Sequence, residues 1–152
     1  MKCLPCTASD LAKYIINKSI EIGNPISNVQ LQFYLYTIQV EHIRKYNTCA
    51  FFDKIEVWDF GPVVSKVYSK YKHWGAFPIP GYPQTFGISH PSLEEVVNEV
   101  CLRYDGKIAF DLVQIAHAEN TPYSIAKKTG RQTISCRLIN SVVRGEHICE
   151  EQ

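Results

Sequence analysis

Residues 51–75 read FFDKIEVWDFGPVVSKVYSKYKHWG, and the hydrophobic period changes in the middle of them. Ile55-Glu56-Val57-Trp58 is rich in β-branched and aromatic side chains, the composition of a short extended segment. Gly61-Pro62 then interrupts the chain. Proline at a first helical position starts a helix well, because its missing N–H would have no partner there. Beyond it Val63, Val64, Val67, Tyr68, Tyr71 and Trp74 recur at helical spacing, and Gly75 stops the run. The reading is one extended arm and one helix meeting at a Gly-Pro corner. Gly61 supplies the backbone freedom for a sharp turn between Trp58 and Val63.

Upstream, Thr7 to Gly23 carries Leu11, Ala12, Ile15 and Ile16 opposite a polar strip of Asp10, Lys13, Asn17 and Glu21. This predicts an amphipathic helix capped by Thr7 or Ser9. Ser27 opens a second helix to about Tyr46, apolar in nearly every direction, which predicts a helix surrounded by others. Gln32 and Gln39 point away from its narrow polar strip. Buried amides need partners, so they are expected to satisfy backbone groups of the adjoining extended segment.

Downstream, residues 75–91 hold four prolines and three glycines and read as a long loop. Within it, 84–88 could add a short strand beside Ile55–Trp58, and Phe77, Tyr82 and Phe86 are expected to anchor the loop. Ser92 with Glu95 forms a capping-box pattern before the stripe Leu93, Val96, Val97, Val100, Cys101, Tyr104. Further helical patterns follow over 108–117 and 131–144. The predicted fold is mostly α: a single-domain helical bundle of about five to six helices over 1–152, with a small β element near Ile55–Trp58.

The chain has 152 residues, 45% of them hydrophobic, and a net charge of +1. That balance gives no bulk attraction to nucleic acid or anionic lipid. No apolar run reaches the ~18 residues a membrane span needs. The N-terminal MKCLPCTASD lacks the apolar core of a secretory signal, so the expected location is the cytoplasm, with its six cysteines reduced and no disulfide framework.

Two stretches carry a resemblance. VQLQFYLYTIQ (29–39) and the quoted segment are similar to the Panacea antitoxin domain, shared by SocA-type antitoxins and phage-associated GepA-like proteins. Leu31, Gln32, Leu35, Tyr36 and Gln39 match its helix motif. Phe52-Asp53, Ile55-Glu56, Trp58, Gly61-Pro62-Val63-Val64 and Val67-Tyr68 match its second motif. Phe33, Tyr34 and Thr37 depart from the usual Lys, Leu and Tyr. A looser match follows over 108–130, where His117, Glu119 and Pro122 carry over while Ala116 and Tyr123 replace a Thr and a Trp. The resemblance is strongest over 27–75. It implies an antitoxin that neutralises a cognate toxin by direct binding, in one branch also as an adaptor to an ATP-dependent protease.

No catalytic set is expected. His117 and Glu119 stand two apart and face different ways on a helix end; His117 is expected to bond helix carbonyls. Cys3 and Cys6 have C-x-x-C spacing, and His147 with Cys149 lies near the other end. H-x-C is not a usual zinc-knuckle spacing, so no metal or other cofactor is expected. Lys66, Lys70, Lys72 and His73 lie off the apolar stripe of the post-proline helix, beside Tyr68 and Trp74. With Phe77 and Tyr82 they form the expected partner face, with Lys66, Tyr68, Lys70, Trp74, Phe77 and Tyr82 as its contacts. Gln32, Gln39, Trp58, Gly61, Pro62, Tyr68 and His117 are expected to be motif residues with structural roles. The alternative reading is a DNA-binding regulator of its own operon or a prophage, the same lysines then meeting phosphate.

Overall fold

The computed structural model describes residues 1–146. His147 and Cys149, considered above as metal ligands, lie outside the described residues. Helix α1 spans Ala8–Glu21 and begins as the sequence predicts, with Thr7 accepting from the Asp10 amide at 3.1 Å. A second acceptor sits at this end: the Asp53 carboxylate takes the Ala8 N–H at 2.8 Å. Helix α2, Asn28–Tyr46, starts with a capping box between Ser27 and Gln30 and ends on Asn47 in the left-handed conformation. Every residue from 31 to 40 is buried. The expectation of a central helix is met.

The quoted segment folds as a hairpin. Strands β1 (Glu56–Val57) and β2 (Pro62–Val63) pair antiparallel, with Glu56 opposite Val63 and Val57 opposite Pro62. One point of the sequence reading changes here. Pro62 is a strand residue, not the first residue of the helix; helix α3 begins at Ser65 and runs to Tyr71, with Val64 as its N-cap. A proline is tolerated in so short a strand, where its missing N–H leaves no ladder bond broken. Gly61 takes φ 159°, a positive value that residues with side chains rarely adopt, although a Cβ there would meet nothing within 4 Å. What closes the turn is a pair of backbone bonds, Trp58 N–H to Gly61 C=O at 3.1 Å and Gly61 N–H to Trp58 C=O at 3.2 Å.

A single 3-10 turn, Lys72–Trp74, ends α3 at Gly75. The loop that follows is tied down rather than structured. Ile79 is buried and its N–H reaches the Ile26 carbonyl at 2.8 Å. Asn17 of α1 bonds the backbone of Tyr82 and Gln84. The loop crosses α1 closely at Gly81, where a Cβ would stand 2.8 Å from Ile20 Cδ1. Residues 84–88 add no strand to β1. Beyond its partner β2, the other bridge to β1 runs from Glu56 to Thr133.

Helix α4 (Pro91–Arg103) is entered from His90 with proline in its first turn, not through a Ser92–Glu95 box. Ser92 is engaged elsewhere, by His42. Helices α5 (Ala109–His117), α6 (Pro122–Lys128) and α7 (Cys136–Val143) complete the described chain. Helix α6 is the element the sequence reading did not separate; Thr121 and Ser124 cap it reciprocally. Helices α1, α3, α4, α5 and α7 and strand β2 all pack on α2. The fold is mostly helical with a small antiparallel sheet, as the sequence predicts.

The thiols are not all isolated. Cys49 and Cys136 bring sulfur against sulfur across 87 residues, with Cα atoms 6.6 Å apart. The expectation of no disulfide framework treats all six thiols as free and does not anticipate this pairing. Cys101 is buried and free, its thiol pushed up to about 12 by burial.

Candidate partner-binding face

The two inward glutamines act as expected. Gln32 accepts from the Val64 N–H at 2.9 Å and donates to Asn28 at 3.0 Å; Asn28 donates to the Tyr68 carbonyl at 3.1 Å. Gln39 accepts from the Ala50 N–H at 2.6 Å and donates to the Phe51 carbonyl at 2.7 Å. Both amides thus fix the irregular backbone on either side of the hairpin to α2, and with it the start of α3.

The hairpin turn is gripped from the other side by the third motif. The Tyr123 hydroxyl donates to the carbonyls of Trp58 and Asp59. His117 places Nδ1 2.8 Å from the Val113 carbonyl, within its own helix, and Nε2 3.2 Å from the Asp59 carbonyl. Lys127 pairs with the Asp59 carboxylate at 3.1 Å. His117 is therefore a clasp between α5 and the turn, with its ring 4.8 Å from that of Tyr123. Glu119 is exposed and does not join it.

With the turn fixed, Trp58, Phe60 and Tyr68 gather into a half-buried aromatic group, Trp58 lying 5.0 Å from Tyr68 and 6.0 Å from Phe60. Trp58 donates its indole N–H to Glu56 at 3.0 Å. That bond, aided by Ser65, holds the Glu56 carboxyl below its ordinary value, so it stays ionised beside the rings. Phe60 is a member that the sequence reading passed over, although it lies inside the quoted segment.

Along α3, Val63, Val64, Val67 and Tyr71 are buried while Lys66, Lys70 and His73 are exposed. Trp74 is 36% exposed and Phe77 75% exposed. Tyr82 has a different position. It is half-buried, its hydroxyl 2.6 Å from that of Tyr71 and its amide bonded to Asn17. Burial, followed by that hydroxyl bond, drives the Tyr71 phenol upward, so its hydroxyl stays protonated. Tyr82 and Phe86 form an edge-to-face pair with Lys13 above both rings, which makes them loop anchors. Phe77 is the loop aromatic that is presented outward.

A second concave surface of about 310 Å³ opens between α2, α5 and α7, lined by Tyr36, Val40, Ile115 and Val143 among others. Its charged residues, Glu41 and Arg44, pair with one another at 3.3 Å. Phe110 and Ile108 stand exposed beyond it. The run Ile108, Phe110, Leu112, Val113, Ile115, Ala116 holds more apolar residues than one buried stripe needs, and that excess was the sign of them in the sequence. Among the described residues, no helix is long and apolar enough to cross a membrane.

A family model described as the SocA-like antitoxin, Panacea domain, matches residues 31–122. The chain belongs to the SocA-like Panacea antitoxin family. The matched span of this Panacea domain runs from the buried glutamines of α2 through the hairpin to His117, while Tyr123 and Lys127, which also hold the turn, lie just beyond it. No curated protein and no solved structure matches the chain.

Proposed function

We propose that this Panacea-domain protein is the antitoxin of a toxin–antitoxin pair, neutralising its cognate toxin by direct binding. The family match over 31–122 carries the reading. The contact surface we propose is the outer side of α3 with the start of the following loop: Lys66, Lys70, Trp74 and Phe77, flanked by Tyr68. Tyr82 supports that surface from beneath. Aromatic residues dominate measured hot spots, and rim lysines steer association. Lys66, Lys70, Lys72 and His73 suit an acidic toxin surface. In the same reading the antitoxin also hands its toxin to an ATP-dependent protease.

Co-expression with each neighbouring reading frame tests the activity. The expected result is rescue of growth by this chain and co-purification of the pair; arrest persisting with every neighbour would refute it. Toxin half-life with and without the antitoxin separates delivery to a protease from simple blocking. For the surface, Lys66→Glu combined with Lys70→Glu is expected to leave the circular dichroism unchanged and weaken toxin binding at least about tenfold, or ~1.4 kcal/mol. Unchanged affinity in the folded double variant moves the interface elsewhere, the α2–α5–α7 groove being next to test.

A further inference from the structure

Cys3, Cys49 and Cys136 come from the N-terminal segment, the chain just after α2, and the first position of α7. Their sulfur atoms nevertheless all lie within 4.8 Å of one another. The C-x-x-C spacing does not produce this group. Cys6 turns away, donating to the Thr7 carbonyl at 3.5 Å, and burial with Asp10 and Asp53 pushes its thiol up to about 11. Cys3 is instead carried to Cys49 by a parallel bridge, with Leu4 N–H to Cys49 C=O and Cys49 N–H to Lys2 C=O both at 2.9 Å.

We propose that these three cysteines form a thiolate site for a soft, thiophilic metal ion, with zinc as its foremost occupant. A disulfide between Cys49 and Cys136 would leave the third thiol, held in place by backbone bonds on both sides, without a role. Three thiolates about 2.3 Å from one zinc stand about 3.8 Å apart, a spacing reached here by small side-chain movement. The fourth position is open to water, since Cys3 is exposed. Two features favour the anionic ligands. Cys136 occupies the first turn of α7, where the helix dipole stabilises a thiolate. Gln39 directs a side-chain N–H at the Cys136 sulfur from 3.6 Å, the kind of outer hydrogen bond that orients metal ligands.

Binding converts three thiols to thiolates and releases three protons to solvent for each ion taken up. Affinity should therefore fall on acidification. The ion would join the N-terminal segment, the post-α2 turn and α7 at one point.

The test uses the full chain, purified metal-free under a phosphine reductant, and titrated with Zn²⁺ and separately with Co²⁺. The expected result is one ion per chain, a thiolate-to-cobalt charge-transfer band, and a higher melting temperature with zinc. Cys3→Ser, at an exposed position, should keep the fold and weaken zinc binding at least tenfold. Cys136→Ser should likewise weaken zinc binding, and Cys101→Ser should leave zinc stoichiometry and affinity unchanged. Less than one zinc per chain overturns the proposal. So does affinity unchanged by Cys3→Ser, or a Cys49–Cys136 disulfide that persists in reductant by mass and thiol count.

Discussion

Gln39 shows how a polar side chain can be the correct residue for a core. It is 1% exposed, yet both ends of its amide are used, by the Ala50 N–H and the Phe51 C=O. Those backbone groups leave α2 at a left-handed residue and cannot pair within a helix or sheet, so a side chain must meet them. Leucine at this position fills the volume but orphans two buried groups. At about 1–3 kcal/mol for each of the two lost partners, Gln39→Leu is expected to lower unfolding free energy by about 2–6 kcal/mol in urea melts. A loss under about 1 kcal/mol would mean that water or a backbone shift replaces the amide. The sequence carried this much: two amides off the polar strip of an otherwise apolar helix have few other uses. It did not carry the cysteine group, because Cys3, Cys49 and Cys136 converge only after α2 and α7 have packed. Spacing along the chain pointed to Cys6 instead.

At the level of elements, α2 is tied to α4 through His42, which is fully buried. Its Nδ1 faces the Thr48 carbonyl at 2.6 Å and must carry the proton, leaving Nε2 to accept from the Ser92 hydroxyl at 2.9 Å. Burial lowers the His42 value, and the Thr48 carbonyl opposes that only in part; His90 lowers it further. A folded value below the unfolded one means that the unfolded chain binds the proton more readily. Stability is then complete above about pH 6.5 and declines as pH falls through the folded value. His42→Gln should flatten the slope of melting temperature against pH between about pH 7 and pH 5, relative to the parent; an identical slope would place the titration elsewhere. This contact also explains a miss. Ser92 and Glu95 have the capping-box spacing, but Pro91 already sits in the first turn of α4 and His42 engages the Ser92 hydroxyl. The Pro62 misreading has the same origin: helix-start chemistry was legible, whereas pairing of Pro62 with Val57 depends on the turn being gripped by Tyr123, a residue distant in sequence.

For the whole molecule, the matched span 31–122 omits three helices that the core uses: α1, α7 and all but the first residue of α6, whose Tyr123 and Ala126 are fully buried. Helix α1 contributes Leu11, Ile15 and Ile16, each no more than 1% exposed, and α7 contributes Leu138 and Ile139, both buried. Helices α1 and α7 each pack directly on α2. Burying a side chain of this kind contributes about 1.5–3 kcal/mol, so these five together contribute on the order of 10 kcal/mol. That equals the entire net stability of an ordinary domain, about 5–15 kcal/mol. Asp53 would also lose the α1 amide it accepts, and Gln39 the cysteine beside it. We therefore propose that the working Panacea unit of this protein includes all the described helices. A 31–122 fragment is expected to lack cooperative thermal unfolding and to be cleaved within α2 by a protease concentration that leaves the full chain intact. A fragment that melts cooperatively and resists cleavage would show that α1, α6 and α7 are additions to a self-sufficient core. The fragment keeps the Gln32 contact with Val64 and the His117 contact with Asp59, so its failure would show that these contacts do not hold the domain together without α1, α6 and α7.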